Sequence, residues 1–183
     1  SDVHRVIKQS TPLTVDQLKL LHQVLSSDEE PWNRAFAGMC LFCIYARSRW
    51  SDAQHSQQLL EDRDQEGTLA FLEAHTAVHK TARALQLRHV FLPLVSPAIG
   101  VTSDIWAEQW LESRKLLDIE DLKEFPLMPS PSSSGEATVR ALSTAEAGSW
   151  LRMLLKNPQV ADPSLKLTSH SLKSTCLSFL AKR

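Results

Sequence analysis

One tyrosine, three cysteines and five glycines are all that the 183 residues hold of these types. Each scarcity removes a class of protein. An odd set of cysteines (Cys40, Cys43 and Cys176) cannot close a disulfide framework, and it points to an intracellular, reducing compartment. Cys40 and Cys43 make a C-x-x-C, but they lie inside the apolar run from Phe36 to Ile44. With no second pair to complete a zinc site, they read as buried core thiols. The glycines form no phosphate-cradling loop of the Walker type. No apolar run reaches the roughly 18 residues of a membrane span. The opening Ser1-Asp2-Val3-His4-Arg5 lacks the apolar stretch of a signal peptide, and the missing initiator Met is what a segment cut from a longer protein would show.

What is present is an ordinary globular balance, 43% apolar and 22% charged, enough for a single core. Net charge is −1, but unevenly spread: from Arg140 to Arg183 seven basic residues face two acidic ones. A basic end can meet phosphate, although a solvated helix surface explains it as well.

Residues 1–12 read as a polar entry segment, and 13–183 as one domain. Thr14 with Gln17 forms a capping box, and Val15, Leu18, Leu21, Val24 and Leu25 recur at helical spacing, predicting a helix over about 14–26. Pro31 suits the first turn of a second helix, apolar nearly all round from Trp32 to Ala46 and therefore central. Three runs of strand length follow, around Leu59-Leu60, Thr68 to Ala74, and Arg88 to Leu94. Thr102-Ser103-Asp104 is the expected start of a helix to about Leu117. Phe125 to Gly135, rich in Pro and Ser, reads as a loop. Ser143 and Glu146 form a second capping box, and a last helix is expected from near Ser169, with Leu172, Cys176, Phe179 and Leu180 inward. The fold class is α+β, mainly α, with a small antiparallel three-stranded sheet.

The chemistry concentrates where the central helix stops, at Tyr45-Ala46-Arg47-Ser48-Arg49-Trp50-Ser51-Asp52. This stretch resembles the first active-site box of tyrosine recombinases and phage integrases, in which a buried helix ends in an Arg just before the next helix. Arg49 matches that Arg, with Arg47 its competitor. Ser169-His170-Ser171-Leu172-Lys173 is similar to the family's His-x-Leu-Arg box, with His170 as the His and Lys173 where the family usually has Arg. Lys keeps the charge and loses the planar fork that grips two phosphate oxygens. Lys80, between the second and third predicted strands, falls where the family carries a catalytic Lys on a hairpin.

The resemblance implies DNA cleavage and rejoining through a phosphotyrosine, as in recombination or integration by a mobile element. Its partners would be double-stranded DNA and sister subunits, with no membrane, no small-molecule substrate, and a setting in nucleus or nucleoid. Protein cations would stabilise the phosphoryl transition state, so no metal or cofactor is expected. Arg49, Lys80, His170 and Lys173 would be the catalytic set. Tyr45, inside the apolar helix, reads as a core residue; the nucleophile is then expected beyond Arg183, and this segment alone is not expected to cleave DNA.

Blander accounts stand beside each residue. Arg49 could be a helix-end cation pairing with Asp52 or solvent, His170 and Lys173 a polar first turn, and Lys80 a solvated hairpin lysine. His75 and His79, four apart, could ligate a metal only on a helix, whereas they fall on a predicted strand and turn. The five tryptophans fall mostly on apolar helix faces, as core packing requires. The alternatives to a recombinase are a catalytically decayed DNA-binding module and a helical protein-interaction domain.

Overall fold

The computed structural model describes residues 10–28, 30–76, 93–119, 125–156 and 167–181. The first helix, α1 (Val15–Ser27), begins at the predicted box: Thr14 Oγ1 accepts from the Gln17 N–H at 3.1 Å, and the Gln17 side chain accepts from the Thr14 N–H at 2.9 Å. Two of the four N–H groups that a helix start leaves open are thereby satisfied. Leu18, Leu21 and Leu25 face the core as the spacing predicts. Val15 does not; it is exposed.

Helix α2 (Pro31–Tyr45) is the centre of the molecule. Glu30 caps it through the Trp32 N–H, and every residue from Ala35 to Ile44 is buried. It packs against α1, against α4 (Trp106–Leu116) and against the last helix, α6 (His170–Ala181). Gly38 allows the closest approach: a Cβ there would collide with the Trp110 ring of α4. Phe36 stacks flat on Trp150, with ring centroids 4.5 Å apart, and lies tilted against Trp50 at 5.8 Å. Each large apolar side chain so buried contributes roughly 1.5–3 kcal/mol. Four of the five tryptophans are buried and Trp150 half-buried, so packing accounts for them.

A short helix, α3 (Trp50–Gln54), leads into a three-stranded antiparallel sheet, β1 (Ser56–Arg63), β2 (Leu69–Thr76) and β3 (Leu94–Pro97), in the order β1-β2-β3. Leu69, Leu72 and Ala74 point inward. The β1–β2 turn is built by Asp64, whose carboxylate accepts from the Glu66 and Thr68 N–H groups, with Gly67 at φ +85°. The third strand was expected over 88–94; β3 runs from Leu94 to Pro97, and residues 88–92 lie outside the described residues. Its pairing with β2 (Leu94 opposite Ala74, Pro97 opposite Phe71) is a long-range event that local composition does not register.

Two further expectations are corrected. The Pro/Ser-rich stretch is not merely loop: β4 (Pro129–Pro131) pairs with β5 (Ala137–Ala141) as a two-stranded hairpin turning at Gly135, φ +84°. Proline is tolerated because the pair has only edges. Helix α4 begins at Trp106 rather than at Thr102, with Ile105 as an N-cap making no side-chain bond. Thr102 spends its hydroxyl elsewhere, 3.4 Å from His22 Nδ1. The other capping box holds: Ser143 and Glu146 open α5 (Thr144–Leu154) reciprocally. Leu172 of α6 is buried as expected; the side chains of Cys176, Phe179 and Leu180 lie outside those described. The architecture is therefore α+β, six helices with a small three-stranded antiparallel sheet among the described residues. None of these helices is long and apolar enough to cross a membrane.

Candidate functional site

The end of α2 is tied down from both sides. Tyr45 Oη lies 2.7 Å from His22 Nε2 and accepts from the Val101 N–H at 3.0 Å. A neutral imidazole protonated on Nδ1 satisfies this chain of bonds: Val101 donates to Tyr45, Tyr45 to His22, and His22 to Thr102. Burial holds His22 neutral, pushing its pKa down from 6.5 to about 4 against the opposing pull of Asp104. Gly100 permits the arrangement, because a Cβ there would collide with the Tyr45 ring.

Beyond Tyr45 the helix closes with a Schellman motif. The Ser48 N–H donates to the Cys43 carbonyl at 2.9 Å and the Arg47 N–H to the Ile44 carbonyl at 3.2 Å. The motif puts Arg47 in the left-handed region, φ 54°. Ser48 is buried and donates its hydroxyl to the Arg49 carbonyl. Arg49 is then the N-cap of α3, extended at φ −70°, ψ 148°, with an exposed side chain. Trp50 anchors this junction by donating its indole N–H to the Leu142 carbonyl at 2.9 Å, just ahead of α5.

The partners of its arginines separate this junction from the rest of the molecule. Arg34 donates to the Leu25 carbonyl, Arg63 to Glu61 and Glu108, Arg140 to Glu146, and Arg152 to the Leu167 carbonyl. Arg114, buried, donates to the Leu127 carbonyl and lies over the Trp110 ring. Among the described residues, Arg47 and Arg49 are the two arginines whose guanidinium groups make neither hydrogen bond nor ion pair. Asp52 does not neutralise Arg49, the pairing that the blander account offers. The excess of basic residues after Arg140 is correspondingly smaller in effect, since Arg140 and Arg152 are committed to the protein itself.

The second motif lies at the opening of α6. His170, exposed, is its first residue, and Lys173, half-buried, follows one turn later on the same face. Ser171 and Thr175 are buried on the opposite side, and Thr175 Oγ1 accepts from the Leu13 N–H at 2.9 Å. No bond joins Arg49 to His170 or Lys173. What relates them is α5. Trp50 reaches Leu142 at the start of α5, and Gly148, six residues on, lies beneath Thr168 and Ser169, where α6 begins.

Lys80 and His79 lie outside the described residues. His75 is on β2, 3.1 Å from Glu73, and no cluster of metal-ligating side chains occurs among the described residues. Cys40 and Cys43 are free, fully buried thiols, and burial pushes both pKa values up, as core cysteines and not as redox groups. Compared with protein-family models and with curated proteins, the chain matches none.

Sequence reading set Arg47 and Arg49 as alternatives. The structure leaves both exposed and unpaired.

Proposed function

We propose that this chain is the phosphate-gripping part of a tyrosine-recombinase-like catalytic domain acting on duplex DNA. The observation that carries the reading is Arg49: an exposed, permanently charged guanidinium just past the end of a largely buried helix, with no carboxylate among the described residues to neutralise it. An exposed cation that no protein group neutralises is available to an anion arriving from outside. A phosphodiester supplies that anion, and its crowded transition state gains from fixed cations aimed at non-bridging oxygens. His170 and Lys173 sit one turn apart at the N-terminal end of α6, where the helix dipole favours the same charge. Tyr45 is not the nucleophile in this scheme, because its hydroxyl is engaged by His22 and the Val101 N–H at the core boundary. Strand cleavage therefore requires a tyrosine from outside this sequence, whereas DNA binding does not.

The test is the affinity of the chain for fluorescein-labelled duplex DNA as salt is raised. Binding that weakens linearly in log salt, and that Arg49→Ala and Lys173→Ala each reduce, supports the reading. Binding with the two variants unaffected relocates the DNA surface, and no salt-dependent binding leaves the helical interaction domain as the account. Lys173, lacking the bidentate fork of Arg, favours as second reading a module that holds DNA without cleaving it. This second reading predicts duplex binding with no covalent protein–DNA adduct.

A further inference from the structure

We infer that Arg47 is a second DNA-backbone ligand, gripping a phosphate next to the one assigned to Arg49; the inference rests on the DNA-binding reading above. Three observations carry it. The first is conformational. Arg47 occupies the left-handed position of the Schellman motif, φ 54°, where glycine sits without strain and Asn or Asp at little. Arginine has neither glycine's freedom nor the short polar side chain that compensates for strain there. Strain of this kind persists where the surroundings enforce it, and it collects at ligand clamps.

The second observation is that the side chain gains nothing inside the molecule in return. It is exposed, and among the described residues its guanidinium has no partner. The third is placement. Ser48, between the two arginines, is buried and doubly fixed, by its N–H on the Cys43 carbonyl and its hydroxyl on the Arg49 carbonyl. The turn is thus a rigid mount. Two residues apart, the α-carbons of Arg47 and Arg49 are separated by at most about 7 Å. Phosphates recur every ~3.4 Å of helix axis along each strand, so two long side chains on such a mount reach neighbouring phosphates. Arg49 grips one and Arg47 its neighbour, which fixes the register of the duplex on the protein without reading its sequence.

The experiment measures two properties of the whole chain: its thermal midpoint, and the slope of log Kd against log salt on a labelled duplex of arbitrary sequence. Arg47→Gly is expected to move them in opposite senses. The midpoint rises by roughly 2 °C as left-handed strain is relieved, while the salt slope falls by about one as a phosphate contact is lost. Arg47→Lys keeps the slope and does not raise the midpoint. An Arg47→Gly protein that is more stable yet binds with the original slope overturns the inference and leaves the DNA reading standing. A loss of stability in Arg47→Gly shows a structural role instead and also overturns it. A wild-type chain without salt-dependent binding sinks both.

Discussion

Helices α2 and α4 end the same way and use arginine in opposite ways. Both close with a Schellman motif carrying a non-glycine residue in the left-handed region: Arg47 at φ 54° after α2, Asp118 at φ 53° after α4. At the α4 end the strained position goes to Asp118, whose short side chain tolerates it, and the nearby arginine turns inward. Arg114 is 4% exposed, bonded to the Leu127 carbonyl and laid over Trp110. At the α2 end the strained position is itself an arginine, a second follows two residues later, and both face outward. Identical backbone hydrogen bonding therefore serves a structural cation in one place and a pair of uncommitted cations in the other. A helix end alone does not predict function; what the guanidinium meets decides it.

That contrast can be broken first at its structural side. Arg114→Ala removes a buried charged donor and a cation–π contact, and is expected to cost about 3 kcal/mol in urea unfolding. A loss under about 0.5 kcal/mol, the usual range for surface positions, would place Arg114 with the uncommitted arginines and erase the distinction.

Acidification should loosen the α2 end selectively. The His22 pKa is lowered to about 4, so below 6.5 the unfolded chain takes up a proton that the folded chain refuses. Stability is complete above pH 6.5, falls as pH drops towards 4, and flattens below; the total is on the order of 2 kcal/mol. Glu146, lowered to about 2 chiefly by Arg140, begins to contribute only below 4.5, which leaves pH 6.5–5, among the shifted groups of the described residues, to His22. Unfolding curves of His22→Gln should be flat in that window; an unchanged slope would remove His22 from the account.

On the functional side, Arg49→Ala is expected to weaken duplex binding roughly tenfold, about 1.4 kcal/mol, with unfolding stability within about 0.5 kcal/mol of the parent. Equal losses in both assays would mean that Arg49 is another structural arginine. The smallest effect is at Asp118. Asp118→Gly should gain roughly 0.5 kcal/mol, less than Arg47→Gly, because Asp pays less than Arg for a left-handed backbone. If the order is reversed, the strain ascribed to Arg47 is not specific to that turn.

The site was readable in sequence only as far as its chemistry is local. Arg49 at the end of an apolar helix and His170 with Lys173 one turn apart follow from spacing. Whether Asp52 would neutralise Arg49 did not, since the geometry of a helix-to-helix turn decides which side chains meet. Arg114 was missed altogether: it falls among Glu112, Ser113 and Lys115, a polar stretch, although its i+4 spacing from Trp110 was a usable sign.

What the sequence determined by itself are features closed within a few residues: the boxes at Thr14 and Ser143, Pro31 at the start of α2, and the apolar run that makes α2 central. Their energetics are settled by neighbours along the chain, so periodicity and capping chemistry suffice. The tertiary structure decided the rest. Leu94–Pro97 became the third strand by pairing with β2, and Pro129–Pro131 became a strand by finding Ala137–Ala141. Thr102 left its cap for His22, and Arg114 went inward while Arg47 and Arg49 stayed out. Each of these turns on partners distant in sequence, whose hydrogen bonds and buried surface outweigh local preference once the core around α2 has formed.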